Sequence, residues 1–152
     1  MSYDDIPPLL PPGDMPAVHN PADLQQTWRA LMGTLGFPDR RLWLLFLDAQ
    51  GQLLGPLLSM DNLPDGPYDL PVEDLVVICR EILGGPGGAG GSVAFLVTRP
   101  GRDGWHVGDR AWGRYLTAAA YRIGGKVWPV HRANDQELAV VPAAETDGLA
   151  SA

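Results

Sequence analysis

Residues 92–109 read SVAFLVTRPGRDGWHVGD, and this stretch decides the predicted fold. Its first part, residues 92–98, is a continuous apolar run that is typical of a strand buried on both faces. The residues that follow are polar and rich in glycine, which predicts a loop. Asp109 closes the stretch before an amphipathic segment, so we predict that it is the N-cap of a helix. A buried strand, a loop and a helix N-terminus are therefore expected to meet here.

Outward from this stretch, the spacing of apolar residues predicts the remaining elements. Helices are predicted at residues 21–35, 72–83 and 109–123, with Asn20 as the N-cap of the first and Gly36 at its end. Strands are predicted at residues 42–48, 53–60, 92–98, 126–133 and 137–141, the last two forming a hairpin around Asn134. The order α-β-β-α-β-α-β-β indicates an α/β (α+β) fold, a single domain whose mixed sheet is flanked by helices.

Proline and glycine divide the chain of 152 residues into three predicted parts. Residues 1–19 are rich in proline, which disfavours helices and central strands, so we expect a flexible arm. Residues 20–142 form the predicted domain, and residues 143–152 a disordered tail. The glycine tract at residues 84–91 lacks the Gly-Lys-Ser/Thr ending of a phosphate-binding loop and precedes a strand, so it is interpreted as a linker.

The charge pattern excludes several classes of partner. The formal net charge is −7, and the 11 Lys and Arg residues are scattered, which argues against direct nucleic-acid binding and against anionic membrane surfaces. A membrane span and a signal peptide are not expected, so the predicted location is the cytoplasm. Cys79 is the single cysteine and lies on the apolar face of a predicted helix, which favours a core residue over a nucleophile.

The stretch from about residue 41 to residue 141 resembles the JAB/MPN domain, in particular its RadC-like bacterial branch. The resemblance rests on a strand ending in Asp48, the helix at 72–83, the strand at 93–97, and a loop beginning Pro100-Gly101 that leads to Asp109. In that family the strand ends in His-x-His-Pro and an Asp follows further along. The two His and the Asp bind zinc, and an upstream Glu acts as general base.

The residues at these positions differ from the family pattern. With Pro100 aligned, Val97 and Arg99 occupy the two His positions, and Asp109 falls within one residue of the third ligand. Valine cannot bind a metal and a permanently charged arginine repels one, while the Glu position falls near residues 40–41, which are both arginine. The resemblance therefore implies a degenerate, non-catalytic JAB/MPN-like domain without zinc or another cofactor. It also implies a protein partner or a homodimer.

The loop and the start of the third helix supply a basic and aromatic cluster in an otherwise acidic protein. Because Trp and Arg dominate binding hot spots, we predict that this cluster is a recognition surface. The simpler interpretation is an arginine packed on a tryptophan, with Asp109 as a solvated helix cap beside other ordinary solvated charges. The candidate surface comprises Arg99, Arg102, Trp105, His106, Asp109 and Arg110.

Two alternatives stay open at this point. One is a metal-dependent hydrolase with a rearranged site around His106, Asp109 and His131, to which Asp103 could add a further ligand. The other is an anion-binding regulatory domain that uses Arg99 and Arg102 at the helix N-terminus. The position of Arg99 separates these readings, since a salt bridge to Asp109 would place its charge where the resembled family holds a metal.

Overall fold

The computed structural model describes residues 6–102 and 104–142, which form a five-stranded mixed sheet with helices on both faces. The helices are α1 (Pro21–Met32), α2 (Val72–Leu83) and α3 (Val107–Ile123). The strands are β1 (Arg41–Leu47), β2 (Leu58–Met60), β3 (Ser92–Thr98), β4 (His131–Ala133) and β5 (Leu138–Val140). The predicted α+β class and the predicted order of these elements are confirmed.

The long strands β1 and β3 form the centre of the sheet, whose strand order is β2-β1-β3-β4-β5. They pair antiparallel along their whole length, from Arg41 opposite Thr98 to Leu47 opposite Ser92. Strands β3 and β4 are parallel, and α3 makes the crossover that a parallel pair requires. The carboxyl end of β3 is therefore joined by one short loop to the N-terminus of α3.

Each central strand supplies two hydrophobic cores, because successive side chains point to opposite faces of a sheet. Val93, Phe95 and Val97 of β3 pack with α2 and α3, whereas Ala94 and Leu96 pack with α1 on the other face. This arrangement explains why β3 is buried at every position and reads as an unbroken apolar run.

Helix α1 ends earlier than its apolar spacing suggests. Asn20 caps it as predicted, since its side chain accepts the backbone N–H of Asp23. The helix stops at Gly33, which has a φ of 63° and donates its N–H to the carbonyl of Arg29. The prediction that it continues to residue 35 and ends at Gly36 is therefore wrong, because Gly33 already provides the left-handed residue that ends a helix.

The strand predicted at residues 53–60 is interrupted. Only Leu58–Met60 forms a strand beside β1, while Leu53 makes an isolated bridge to Leu47. Between them lie Gly55, whose φ of 67° is left-handed, and Pro56, which has no N–H to donate. These two residues break the ladder into two pieces.

The last hairpin forms where it is predicted, but its strands are shorter than expected. The turn is held by Asn134, whose side-chain oxygen accepts the backbone N–H groups of Gln136 and Glu137 at 2.9 Å. β4 begins at residue 131 instead of 126, and β5 covers 138–140 of the predicted 137–141. Pairing of β4 with both neighbours places it inside the sheet and leaves β5 at its edge.

The N-terminal arm runs over α1 and is held at its end by the turn that follows β1. Met15 and Val18 are buried, and Val18 donates its backbone N–H to the carbonyl of Gly51 at 2.8 Å. The first five residues of the predicted arm and all of the predicted tail at 143–152 lie outside the described residues. In the part of the chain that is described, α1, α2 and α3 are each too short or too polar to span a bilayer.

Cys79 points from α2 into the core, as predicted. Burial raises the pKa of its thiol to about 12. At pH 8 only about one thiol in ten thousand is then ionised, so we expect iodoacetamide to leave the native protein unlabelled. Mass spectrometry should show full labelling in urea. The matched control is Val77→Cys in a Cys79→Ser background, which places a thiol on the exposed side of the same helix and should react within minutes. Rapid labelling of native Cys79 would contradict its burial.

Candidate functional site: the loop between β3 and α3

The loop at residues 99–106 begins where β3 reaches the edge of its paired region. Arg99 continues the strand by one residue, because its backbone N–H donates to the carbonyl of Ala133 at 3.0 Å. Its side chain follows Val97 on the face that packs against α3. The alternation of the strand therefore aims a guanidinium at the first turn of α3.

Asp109 receives this guanidinium in a two-point contact. Arg99 donates from Nε to Oδ1 at 2.8 Å and from Nη2 to Oδ2 at 2.9 Å. This paired geometry is the strongest form of an arginine–carboxylate contact. Both side chains are about 99% buried, since each residue retains 1% of its accessible surface.

The N-terminus of α3 differs from its predicted form. His106 is the N-cap, and Asp109 is the third residue of the helix, where its Oδ2 accepts the backbone N–H of His106 at 2.9 Å. The His106 side chain accepts the backbone N–H of Asp109 in return, which completes a capping box. The predictions that Asp109 is the N-cap and a solvated charge are therefore wrong. Its carboxylate does cap the helix, but from inside the helix and under the protein surface.

A second arginine reaches the same carboxylate from β4. Arg132 is fully buried, and its Nε lies 3.4 Å from Oδ2 of Asp109. Its Nη2 donates to Glu137 Oε2 at 3.1 Å and to the carbonyl of Gly104 at 3.0 Å. The guanidinium carbon also lies 3.9 Å from the centre of the Trp105 ring, in cation–π geometry.

Most polar atoms of this cluster are directed at each other, although Nε and Nη1 of Arg132 make no hydrogen bond among the described residues. The carbonyl of Gly104 accepts from Arg99 Nη2 at 2.7 Å as well as from Arg132, and the carbonyl of Pro100 accepts from Arg99 Nη1 at 3.1 Å. The two guanidiniums therefore hold the loop backbone at both of its ends. We name Arg99, Asp109 and Arg132 the buried ion cluster.

Charge compensation decides the ionisation state of the buried ion cluster. Burial alone would raise the pKa of the Asp109 carboxyl. Hydrogen bonds from Arg99 and the His106 backbone, with the charges of Arg99 and Arg132, outweigh burial and hold this pKa below its usual value. Asp109 is thus an anion that accepts hydrogen bonds from Arg99 and from the His106 backbone, and it is a poor general acid or base at neutral pH.

The six predicted surface residues separate into two groups. Arg99 and Asp109 are buried and are not part of the surface. Arg102 is exposed, while Trp105, His106 and Arg110 are half-buried beside it. The cluster predicted from sequence is therefore a buried ionic core with a partly exposed rim.

Two residues of this region were missed by sequence reasoning. Val107 is the first residue of α3 and retains 84% of its accessible surface, the largest value among the exposed large hydrophobic residues described. The sequence predicted only that Arg132 lies on a strand. The alternation of side chains along that strand could have predicted its burial, because Val130 is a core residue and a residue two positions later faces the same side of the sheet. An arginine in such a position requires a buried partner.

His131 lies on the other side of the sheet from Asp109. In register it pairs with Leu96, which belongs with Ala133 to the core under α1. The sheet therefore separates His131 from His106 and Asp109, which the rearranged metal site would bring together. Within residues 6–102 and 104–142, no three His, Cys, Asp or Glu side chains are grouped to hold a metal ion. Asp103, a further ligand considered for that site, lies outside the described residues.

Comparison of the chain with protein-family models, with curated proteins and with solved structures finds no match in any of the three.

Replacement of Asp109 by asparagine tests the buried ion cluster. Asp109→Asn keeps the shape but leaves two buried guanidiniums without their central counter-charge, so we expect the free energy of unfolding to fall by about 3–5 kcal/mol. Urea unfolding followed by circular dichroism measures this change. The control is Asp61→Asn in an exposed loop, for which the change should stay within about 0.5 kcal/mol. Equal effects of the two substitutions would show that the cluster carries no charge-dependent stability.

The burial of His131 leads us to predict that the folded protein loses stability in mild acid. Its pKa falls from 6.5 to about 4 because burial disfavours the charged ring, and its Nε2 has no hydrogen-bond partner among the described residues. The unfolded chain binds this proton below about pH 6.5 but the folded chain only below about pH 4. The free energy of unfolding should therefore fall by up to about 3 kcal/mol as the pH drops between these values.

The measurement compares urea unfolding of the wild type and of His131→Leu from pH 7 to pH 4. The difference between the two proteins should depend on pH, and the control His19→Leu, at an exposed position, should follow the wild type. A parallel pH dependence in wild type and His131→Leu would contradict the assignment.

Proposed function

We propose that this chain is a non-catalytic, JAB/MPN-like binding domain that acts in the cytoplasm by contacting a protein partner or a second copy of itself. The observation that carries the proposal is the contact between Arg99 and Asp109. By the resemblance, Arg99 stands at one of the three zinc-ligand positions of a JAB/MPN enzyme, and Asp109 stands within one residue of another. Here they bind each other, which leaves neither of them to bind a metal.

The chemistry of the remaining positions supports the same proposal. Val97, at the other His position of the resemblance, is a buried core residue. The alternative hydrolase requires His131 beside Asp109, and the sheet lies between them. The alternative anion site requires Arg99 to face a ligand, whereas its Nε and Nη2 atoms face Asp109 and Gly104. Binding of a protein partner needs none of these residues to do chemistry.

The rim of the loop is the surface that we propose for the partner. Val107 projects from the first turn of α3 with most of its side chain in solvent, and exposed Arg102 and half-buried Trp105 lie on the loop before it. Arg and Trp are residue types that dominate interface hot spots, and exposed Val107 adds apolar area beside them. The buried ion cluster beneath it fixes the loop backbone, which reduces the entropy lost on binding.

Two measurements on the purified protein test this proposal. Metal analysis by mass spectrometry should find far less than one zinc per chain, and stoichiometric zinc that resists chelators would contradict it. Sedimentation velocity, and cross-linking in extracts of the source cells, should detect a complex that contains this chain. Substitution Val107→Glu should weaken that complex about tenfold or more, because it would bury an unpaired carboxylate in the interface.

The matched control is Val77→Glu, which places the same charge at an exposed valine on α2. It should leave the complex unchanged if the partner contacts the loop. Equal weakening by both substitutions would move the contact away from the loop, and a wild-type chain that stays monomeric and unlinked would contradict a binding role.

A further inference from the structure

A second feature of the molecule is a cavity of about 320 Å³ between the N-terminal arm and α1. It lies away from the buried ion cluster, on the outer side of the helix that covers the other face of the sheet. Its volume falls within the range of small-molecule sites, and most of its lining is apolar. The residues that define it are Pro7, Pro8, Leu10 and Met15 of the arm, with Asp23 and Ala30 of α1.

The cavity exists because α1 presents small side chains to the arm. Leu24 and Trp28 face the sheet, whereas Thr27 and Ala30 turn toward the arm and leave space there. Both of these small residues are at least 95% buried, so they form a floor instead of an open surface. A stiff arm can bridge this space without filling it.

The arm is held over the floor by its own contacts. The fixed φ of each proline limits how closely Pro7 and Pro8 can follow the helix. Leu10 directs its backbone N–H at the sulfur of Met15 at 3.4 Å, and Val18 ties the end of the arm to Gly51 in the turn after β1. The side of the cavity that the arm forms is thus positioned by the geometry of its prolines and by these hydrogen bonds.

The charge of the lining restricts the ligand. Asp23 is the one charged side chain among the described residues that line the cavity, and arginine, lysine and histidine do not occur among them. Its Oδ2 accepts the backbone N–H of His19 at 3.0 Å, but a carboxylate offers about four acceptor positions. A cationic head group can therefore bind at Asp23 without displacing His19, whereas an anionic head group is repelled.

We propose that this cavity binds a small amphiphile with a linear alkyl chain and a cationic or neutral head group. The chain lies against Met15 and Ala30, and the head group lies at the rim beside Asp23. This site is independent of the proposed partner surface on the loop, so either proposal can fail without the other.

Three eight-carbon probes test the site, namely octylamine, 1-octanol and octanoate. The protein is labelled with ¹³C at the methionine methyl groups, and the probes are titrated below their micelle concentrations. Met15 lines the cavity, whereas Met32 and Met60 lie outside its lining and serve as internal controls. The Met15 signal should shift with octylamine and with 1-octanol, and least with octanoate. Octylamine should bind about five times more tightly than 1-octanol, as expected for an exposed ion pair.

Two substitutions separate the chain from the head group. Ala30→Leu fills the floor and should abolish the Met15 shift with all three probes, while Ala22→Leu, on the exposed side of α1, should leave it intact. Asp23→Asn keeps an oxygen for His19 but removes the charge. It should therefore make the affinities for octylamine and 1-octanol equal without abolishing the binding of either. This result remains informative even if Ala30→Leu impairs folding.

Several outcomes would overturn the proposal. These are a Met15 signal that none of the probes moves, equal shifts of Met15, Met32 and Met60 that indicate nonspecific association, and octanoate binding as tight as octylamine binding. Unchanged binding by both Ala30→Leu and Asp23→Asn would place the probes elsewhere.

Discussion

The carboxylate of Asp109 between Arg99 and Arg132 is the interaction on which the arrangement of the second half of the chain depends. Arg99 extends β3, Arg132 belongs to β4, and Asp109 lies in the first turn of the helix that connects these two parallel strands. A crossover connection leaves the sheet at one strand and returns at the next. The buried ion cluster joins the end of β3, the first turn of α3 and β4 at one point. Glu137 extends the cluster to the turn before β5.

The burial of such a cluster costs free energy, and this cost bears on the role that the cluster can have. Burial of two guanidiniums and one carboxylate removes three ions from water, a loss that their attraction repays only when the geometry satisfies most donors. Here Arg99 meets Asp109 at two points, Gly104 accepts from both arginines, and Trp105 covers the face of Arg132. Well-packed apolar side chains would often be as stable, so stability alone does not explain this cluster. What the ions supply is a defined position for the loop backbone, because hydrogen bonds fix direction as well as distance.

The order of the elements could be predicted because it depends on local signals. Continuous apolar runs mark β1 and β3, helical spacing marks α2, and glycine or proline marks most boundaries. The early end of α1 at Gly33 could not be predicted. Leu35 continues the apolar spacing, and only the backbone angle of Gly33 stops the helix. The buried ion cluster could not be predicted either. Arg132 follows Asp109 by 23 positions, and their contact depends on the pairing of β4 with β3, which no local pattern specifies.

The start of α3 reverses the usual distribution of polar and apolar groups. Val107 is exposed while Asp109, two residues later, is buried beneath it. On a helix these positions point in different directions, so the turn that holds Asp109 inward holds Val107 outward. The bidentate contact with Arg99 provides that anchor, and the capping box of His106 fixes the first turn from its other end. The ionic contact therefore fixes the first turn of α3, and the side chain that this turn holds outward is apolar.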